Sequence, residues 1–290
     1  IATLGSRLSL ESLSVTLDEI SLTKPEIDKI NRIIFIGMGT SYNAAVVGKH
    51  MMENLAGIHS EAENASEFRY NNPILDSTTM VVAIGQSGET ADTLSAMEKA
   101  LSKNSHVITI CNTEGSQSSR LSHETLYLRA GPEIGVASTK TYTSSLEALY
   151  LLALHIGHKR GFLDAKTIAD SLQSLSRLPD MIGNLVANTE PYSRLADKFY
   201  RKSNFLYLGR NINYPTAMEG ALKLKEISYI HAEGCAAGEM KHGPIALIDE
   251  NMPVVAIIPR DHLYEKMLTN ISEVKARGGT VIAVATEGDE

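Results

Sequence analysis

The 290-residue sequence predicts an α/β protein with two consecutive units, each a parallel β-sheet flanked by helices. Three observations support this fold class. Short apolar strands alternate with helical stretches, the strands recur at a nearly constant offset, and polar loops follow several of them. Strands that are apolar throughout are typical of sheets buried on both faces, which is the usual environment of parallel strands.

Six apolar segments that end in glycine or in a polar turn are predicted as strands. These segments are residues 32–37, 80–85, 106–115, 204–209, 253–259 and 280–288. Their ends repeat along the chain, because Gly209 follows Gly37 by 172 positions and Thr286 follows Thr113 by 173. A nearly constant offset of this kind indicates a duplicated unit.

Helices are predicted between and after the strands. Helical stretches follow three strands, at residues 41–56, 90–103 and 214–230, and residues 139–200 are mainly helical in pattern. Inside the last range one stretch is apolar nearly all round, which predicts a buried helix, and a later amphipathic stretch predicts a connector. The predicted divisions are an N-terminal linker or helix at 1–30, a first domain at 31–160, a helical connector at 161–200 and a second domain at 201–290.

The second unit is expected to be incomplete. In the first unit a long segment separates the turn at residues 113–115 from the connector, whereas the sequence ends two residues after Gly288 of the matching turn. Loss of that segment would leave an uncovered sheet edge. We therefore expect the chain to be a truncated form of a longer protein.

Charge and cysteine content narrow the class of protein. The formal net charge of −7 argues against a nucleic-acid partner. Cys111 and Cys235 are isolated, so neither a zinc cluster nor a disulfide framework is expected. Two isolated cysteines are typical of a protein in a reducing compartment. No apolar run approaches the roughly 20 residues that cross a bilayer, and no export signal is visible. The sequence thus predicts a cytoplasmic protein with no membrane partner and no metal.

Two polar loops at predicted strand ends suit an anion. They are GMGTSYN (37–43) and GQSGET (85–90), and doubly wound sheets bind ligands beyond the carboxyl ends of their strands. Neither is a nucleotide motif, because no lysine follows and Tyr42 replaces the third glycine. Serine and threonine there are commonly N-caps, but two such loops at adjacent strand ends favour a phosphate monoester. The candidate phosphate-binding residues are Thr40, Ser41, Gln86, Ser87 and Thr90.

A third polar segment, residues 131–145, precedes the predicted buried helix. We expect Ser138 and Thr139 to cap that helix, because hydroxyl side chains at a helix start commonly accept hydrogen bonds from its first N–H groups. Closure of the segment over a bound ligand is the alternative role.

The second unit places three charged residues on one predicted helix. Glu219, Lys223 and Glu226 have i, i+4, i+7 spacing and therefore share a face. Such spacing usually indicates surface ion pairs. His242 precedes a Gly-Pro turn, and an imidazole on so rigid a bend suits acid–base chemistry, with a purely structural histidine as the alternative.

Five segments together resemble one protein family. GTSYNAA, GQSGETADT, EIGVASTK, EGALKLKEISYIHAE and GEMKHGPIALID are similar to the sugar-isomerase (SIS) half of the glutamine–fructose-6-phosphate aminotransferases, or glucosamine-6-phosphate synthases. The resemblance spans nearly the whole chain, and its short loop motifs alone would indicate only the wider SIS family. It implies two tandem SIS domains, each a parallel flavodoxin-like sheet flanked by helices, the second truncated at its C-terminus.

The resemblance also implies an activity without a cofactor. The family converts fructose-6-phosphate and ammonia, taken from glutamine, to glucosamine-6-phosphate by ketose–aldose isomerisation, the first step of hexosamine synthesis. Glu226 matches the base that moves a proton between C1 and C2, and Lys223 matches its neighbour. His242 matches the histidine that opens the sugar ring from the other subunit of a homodimer. The implied substrate-binding residues are Thr40, Ser41, Gln86, Ser87, Thr90, Val136, Ser138 and Glu219.

Three departures from the family pattern limit this inference. Gly85 stands where the family has serine, so one phosphate-binding hydroxyl is missing and a backbone N–H would have to serve. Met38 replaces a cysteine, with little expected effect. The family's glutaminase domain lies outside the sequence, and so does the C-terminal tail with the lysine that attacks the sugar carbonyl. The chain is therefore expected to be unable to use glutamine.

Two other functions stay open. One is that of a related SIS enzyme acting on a phosphosugar without glutamine, such as an isomerase/deaminase or a deglycase, although the linker-like start of the sequence argues against it. The other is that of a non-catalytic phosphosugar sensor. A sensor would not need Glu226, Lys223 and His242 together, and no helix-turn-helix module is attached.

Overall fold

The structure, a computed structural model, describes residues 1–289. It divides into two compact units, Ile1–Val186 and Ala187–Glu290, each built on one parallel sheet. Helices pack on the sheet in both units. The predicted fold class, an α/β protein with parallel sheets flanked by helices, is therefore confirmed.

Residues 1–30, predicted as a linker or helix, pack onto the core of the first unit. A small antiparallel hairpin pairs β1 (Leu8–Ser9) with β2 (Ser14–Val15), and helix α1 follows at Lys24–Lys29. At the start of α1, Glu26 Oε2 accepts hydrogen bonds from the backbone N–H and the hydroxyl of Thr23, at 2.8 and 2.6 Å. The buried apolar residues of this segment are Leu4, Val15, Leu17, Ile20, Leu22, Ile27 and Ile30.

The first unit contains a five-stranded parallel sheet. Its strands are β3 (Arg32–Gly37), β4 (His59–Asn64), β5 (Thr79–Ile84), β6 (His106–Cys111) and β7 (Glu124–Tyr127). They lie in the order β4-β3-β5-β6-β7, which is the 2-1-3-4-5 order of flavodoxin-like doubly wound sheets. The point where the strand order reverses therefore lies between β3 and β5, and ligands are expected beyond the carboxyl ends of these two strands.

Six further helices begin in the first unit. They are α2 (Thr40–Ala56), α3 (Ala65–Phe68), α4 (Ala91–Ser102), α5 (Gln117–Leu121), α6 (Lys140–Arg160) and α7 (Ala165–Ala187). Helix α6 is buried along most of its length, as its apolar sequence predicts. It packs closely on α2, because a Cβ at Gly157 would lie 1.9 Å from the carbonyl oxygen of Leu55.

The second unit contains a four-stranded parallel sheet within its described residues. Its strands are β8 (Asn204–Gly209), β9 (His231–Ala236), β10 (Val254–Ile258) and β11 (Val281–Ala285), in the order β9-β8-β10-β11. Its helices are α8 (Glu190–Phe199), α9 (Asn213–Ser228) and α10 (Tyr264–Ala276), with short 3-10 turns at Met240–His242 and Pro244–Leu247.

The two units share backbone details as well as strand order. The order β9-β8-β10-β11 corresponds strand by strand to β4-β3-β5-β6. Pairs of residues 172 positions apart have matching positive φ angles. Gly39 and Asn211 have φ angles of 51° and 50°, and Gly57 and Tyr229 have φ angles of 62° and 60°. The repeat seen in the sequence therefore extends to the backbone at both ends of helices α2 and α9, which follow the matching strands β3 and β8.

Candidate functional site

The loop after β3 leads directly into helix α2. Its N-cap position is Gly39, whose φ of 51° suits glycine and which contributes no capping side chain. Thr40 and Ser41 are the first two helical residues, and Ser41 N donates to Met38 O at 2.9 Å. The N-cap interpretation therefore does not apply to Thr40 or Ser41. They lie instead in the first turn, whose N–H groups are the ones that bind anions at helix N-termini.

The loop after β5 places Thr90 at the N-cap of helix α4. The Thr90 side chain makes no capping hydrogen bond, so its hydroxyl is not engaged in the role that the N-cap interpretation assigns to it. Gln86 and Thr90 are exposed, and Ser87 Oγ accepts a hydrogen bond from Glu89 N at 3.2 Å. This loop thus presents its polar side chains at the carboxyl end of β5.

Hydrogen bonds to the start of helix α5 hold this loop in place. Ser118 N donates to Gly88 O at 3.0 Å, and Gln117 N donates to Glu89 Oε1 at 2.8 Å. Gly88 has a φ of 70°, and a Cβ there would lie 2.4 Å from the Ser116 hydroxyl. Glycine is required at position 88 by conformation and by packing, and the Glu89 carboxylate is engaged at the start of α5.

Gly85 is the position where the family resemblance implies a serine. Its own N–H donates to Ile110 O at 3.0 Å, so this N–H cannot replace the missing hydroxyl. A Cβ at position 85 would meet only Gly88 N, at an ordinary contact distance of 3.8 Å. A Cβ therefore fits at position 85 without displacing its neighbours.

Helix α4 carries a carboxylate in its first turn, where a bound anion would be repelled. This residue, Asp92, is paired with Arg69, since Asp92 Oδ1 accepts from Arg69 Nη1 at 2.5 Å. The hydrogen bond to Asp92 raises the pKa of the Arg69 guanidinium. The pair offsets the negative charge of Asp92 beside the candidate phosphate loop.

The start of helix α6 is capped by a residue that was not predicted. Glu133 Oε2 accepts hydrogen bonds from the N–H and the hydroxyl of Thr141, at 3.1 and 2.6 Å, and Glu133 Oε1 accepts from the Thr139 hydroxyl at 3.2 Å. Burial acts to raise the pKa of Glu133, but these hydrogen bonds outweigh it and leave the pKa lowered. The expectation that Ser138 and Thr139 cap this helix is wrong. Thr139 occupies the N-cap position without capping, and Ser138 Oγ lies 2.5 Å from Thr141 Oγ1.

A cleft of about 520 Å³ opens beside the candidate phosphate loop. It is lined by Gln86, Asn112, Thr113, Glu114, Arg129, Gly131, Pro132 and Glu133. Asn112 shapes its wall, because Oδ1 accepts from Ala130 N at 2.8 Å and Nδ2 donates to Gly131 O at 2.7 Å. Neither Asn112 nor Arg129 is among the predicted site residues. The sequence could have identified Asn112, because it directly follows strand β6 and the candidate phosphate loops likewise follow the carboxyl ends of strands.

In the second unit, helix α9 brings together the three charged residues predicted to share a face. Lys223 Nζ lies 2.6 Å from Glu226 Oε2 and 3.3 Å from Glu219 Oε1. The Glu219 side chain is 6% exposed and that of Glu226 is 32% exposed. The cluster therefore runs from a buried carboxylate through the ammonium group to an accessible carboxylate, which differs from a fully solvated surface pair.

His242 lies on a separate turn of the second unit. It ends the 3-10 turn Met240–His242, its backbone N–H donates to Glu239 O at 2.9 Å, and the residue is exposed. Gly243 and the 3-10 turn Pro244–Leu247 follow. The predicted bend is present, and it displays the imidazole at the surface of this unit. Val136, in the first unit, is also exposed, at 98%.

In the second unit, helix α10 corresponds to α4, and an aspartate just before α10 accepts hydrogen bonds from the N–H groups at its start. Asp261 Oδ1 accepts from Leu263 N at 2.8 Å, and Asp261 O accepts from Tyr264 N at 3.2 Å. A carboxylate at the start of α10 disfavours an anion there. The start of α10 therefore suits a phosphate less well than the start of α4, where Asp92 is paired with Arg69.

Residues 1–289 contain neither a candidate membrane-spanning helix nor a group of side chains that could hold a metal ion. No helix in that range combines the length and apolar character that crossing a membrane requires. Nor does the same part of the chain contain three or more His, Cys, Asp or Glu side chains grouped as metal ligands. Cys111 and Cys235 are free and buried, and burial raises the pKa of both thiols.

A family model and two curated relatives match this chain. The SIS domain model matches residues 26–155 and 198–290. Glutamine–fructose-6-phosphate aminotransferase (isomerizing) of Methanosarcina acetivorans is 48% identical over 287 residues, which make up 99% of this chain and 46% of that protein. The protein of the same name from Caldanaerobacter subterraneus subsp. tengcongensis is 47% identical over 287 residues, 99% of this chain and 47% of the relative. The chain thus spans about half the length of the curated relatives it matches.

A solved structure agrees with these relatives. It is the C-terminal domain of glucosamine-fructose-6-phosphate aminotransferase from Francisella tularensis, which is 39% identical and superposes with a TM-score of 0.94. The match covers 99% of this chain and 80% of that one. The chain therefore belongs to the SIS domain family, in the branch formed by the C-terminal domains of the glutamine–fructose-6-phosphate aminotransferases.

Proposed function

We propose that the chain is the isomerase domain of a glutamine–fructose-6-phosphate aminotransferase and that its first unit binds the phosphate of fructose-6-phosphate. The observation that carries this proposal is the pair of helix starts after β3 and β5, which adjoin where the strand order reverses. Hydroxyl, amide and N–H groups at such a place suit a phosphate monoester. The names of the relatives specify fructose-6-phosphate as the sugar on which those proteins act.

In this proposal the loops after β3 and β5 bind the phosphate, and the segment before α6 contacts the sugar. The phosphate contacts are Thr40, Ser41, Gln86, Ser87 and Thr90, with Arg69 offsetting the charge of Asp92. Val136 and Ser138 contact the sugar itself. The contacts of Glu133 support this assignment. Its carboxylate accepts hydrogen bonds from Thr141 at the start of α6, which positions the segment that carries Val136 and Ser138, and the Val136 side chain in that segment is exposed.

Glu226 is the proposed base of the isomerisation. Ammonia and fructose-6-phosphate first give the ketose imine and water. The Glu226 carboxylate then takes a proton from C1, and the same carboxyl group returns a proton to C2. The proton of the C1 hydroxyl passes to the nitrogen, so that the imine becomes an amine and C1 becomes the aldehyde carbon of glucosamine-6-phosphate. Lys223, 2.6 Å from Glu226 Oε2, fixes the position of this carboxylate, and the buried Glu219 balances the charge of Lys223.

The remaining parts of the proposal concern the whole protein. We infer a homodimer in which the partner subunit's His242 opens the sugar ring, which agrees with the exposure of His242 on its turn. A glutaminase domain would supply ammonia in the cytoplasmic full-length enzyme. The second SIS domain is proposed to be truncated, because its described residues form four strands where the first unit has five.

Hydrogen exchange in deuterated water tests the assignment of the base. The chain is incubated with glucosamine-6-phosphate, and deuterium at C2 is followed by NMR. We expect exchange with the unaltered chain and with Glu233→Gln, an exposed glutamate on β9, and loss of exchange with Glu226→Gln. Calorimetry should show that Glu226→Gln still binds the sugar within about twofold. Exchange that persists in Glu226→Gln would show that another group is the base.

A further inference from the structure

The second unit has a cleft at the end of its sheet where ligands are expected. In the order β9-β8-β10-β11 the strand order reverses between β8 and β10, and doubly wound sheets bind ligands beyond the carboxyl ends of the strands there. All the residues that line the cleft lie at the carboxyl ends of β8 and β9 or at the start of α10. The cleft has a volume of about 250 Å³ and is lined by Arg210, Asn211, Ala236, Gly238, Glu239 and Leu263.

Arg210 gives this cleft a positive charge that the first unit lacks at the matching place. It follows Met38 by 172 positions, which is the offset between Gly209 and Gly37 at the ends of β8 and β3. The candidate phosphate loops of the first unit, residues 37–43 and 85–90, contain neither lysine nor arginine. The two units therefore present different chemistry at corresponding strand ends and are expected to select different ligands.

Helix α10 holds the Arg210 guanidinium in place. Nε donates to Asn270 Oδ1 at 3.0 Å, and Asn270 is 2% exposed. Asn270 Nδ2 donates in turn to Glu273 Oε2 at 3.0 Å, which fixes the orientation of the amide. On the cleft side, a Cβ at Gly238 would lie 3.5 Å from Nη1 and 3.6 Å from Nη2. The guanidinium is thus positioned before a ligand binds, which lowers the entropic cost of binding.

The Nη atoms of Arg210 are available to a ligand. Arg210 is partly buried, yet within residues 1–289 its side chain makes no ion pair and its one hydrogen bond is that from Nε. Every other arginine in this part of the chain that is not exposed donates from an Nη atom to a carboxylate or a backbone carbonyl. These arginines are Arg7, Arg32, Arg69 and Arg160.

We propose that this cleft binds a small organic carboxylate, whose two oxygens accept hydrogen bonds from Nη1 and Nη2 of Arg210. The planar fork of a guanidinium matches a carboxylate in this way. A doubly charged phosphate is disfavoured, because Glu239 lines the cleft and the Asp261 carboxylate accepts from the N–H of Leu263. The volume lies just below the range of about 300–1,000 Å³ for drug-sized ligands, so a small molecule fits. This site goes beyond the proposed aminotransferase function, because none of its residues takes part in that reaction.

NMR titration of the ¹⁵N-labelled chain with n-butyrate tests the class of ligand, with butanol, n-butylammonium and inorganic phosphate for comparison. The backbone N–H signals of Gly238 and Leu263 report binding, because both residues line the cleft. At neutral pH we expect saturable shifts with butyrate and none with butanol or butylammonium. Phosphate should bind at least about threefold more weakly than butyrate. No saturable shift with butyrate, or phosphate binding that is as tight as that of butyrate or tighter, would overturn the proposal.

Two pairs of variants test the residues of the cleft. Arg210→Gln removes the charge and the fork and should weaken butyrate binding at least about tenfold, whereas Arg201→Gln, at an exposed position before β8, should leave it unchanged. Glu239→Gln removes a repelling carboxylate and should strengthen butyrate binding roughly two- to threefold, whereas Glu250→Gln, at an exposed position before β10, should not. Thermal unfolding verifies that the variants are folded, and the Glu239 pair gives a result even if Arg210→Gln does not fold. Unchanged butyrate binding in folded Arg210→Gln, or equal binding in Glu239→Gln and Glu250→Gln, would mean that the carboxylate binds elsewhere.

Discussion

Gly85→Ser should strengthen the binding of fructose-6-phosphate. A Cβ at this position meets no atom closer than Gly88 N, at 3.8 Å, so it fits without strain. The Gly85 N–H is already bonded to Ile110 O, so the added hydroxyl would be a new donor at the phosphate loop and would not duplicate an existing one. A hydrogen bond to a charged group contributes about 1.5–3 kcal/mol. Ordering one serine side chain costs part of this, so we expect roughly a tenfold gain in affinity.

Calorimetric titration of both chains with fructose-6-phosphate measures this gain, with unphosphorylated fructose as the control ligand. Gly88→Ser is the matched control variant. Its φ of 70° and a Cβ position 2.4 Å from the Ser116 hydroxyl predict strain, a lower unfolding temperature and weaker binding. A folded Gly85→Ser chain whose affinity for fructose-6-phosphate is unchanged or lower would refute the placement of the phosphate at this loop.

Three further predictions follow from the same contacts. Arg69→Ala leaves Asp92 without its partner at the start of α4, so fructose-6-phosphate should bind roughly two- to fivefold more weakly in the same titration. Gly157→Ala should lower the free energy of unfolding by about 1–3 kcal/mol, because its Cβ would meet the Leu55 carbonyl. Gly183→Ala in α7 should raise the free energy of unfolding by about 0.5–1 kcal/mol, because its Cβ would meet no atom within 4 Å. Denaturant unfolding measures both changes. Burial raises the pKa of Glu147 in the folded state above its ordinary value of 4.5, so the folded state binds the proton more tightly than the unfolded state does. The free energy of unfolding therefore falls as the pH rises from 4.5 through the folded pKa. Glu147→Gln should remove this fall, and unfolding curves of both chains across the interval measure the difference.

The central strands were predictable from the sequence, whereas three of the four edge strands were not. Strands β3 and β5 are buried along nearly their whole length, so their sequences are continuous apolar runs. Strands β4, β7 and β9 lie at sheet edges and are only partly buried. Their sequences, HSEAEN, ETLY and HAEGCA, therefore carry no apolar run that marks a strand.

Local spacing predicted some site residues and could not predict others. The face shared by Glu219, Lys223 and Glu226 follows from helix periodicity alone. The cap at α6 depends on Glu133, which reaches back over an irregular segment whose path the sequence does not specify. Glu147 sits inside an apolar helix, where only packing reveals whether its carboxylate has a partner.

Binding of phosphosugars to the unaltered chain is the most direct test of the proposed phosphate site. Calorimetric titration would compare fructose-6-phosphate and glucosamine-6-phosphate with unphosphorylated fructose and ATP. The geometry of the two loops predicts saturable binding of both phosphosugars and none of fructose or ATP. Fructose binding as tightly as fructose-6-phosphate, or no heat from either phosphosugar, would contradict the assignment of these loops to the sugar phosphate.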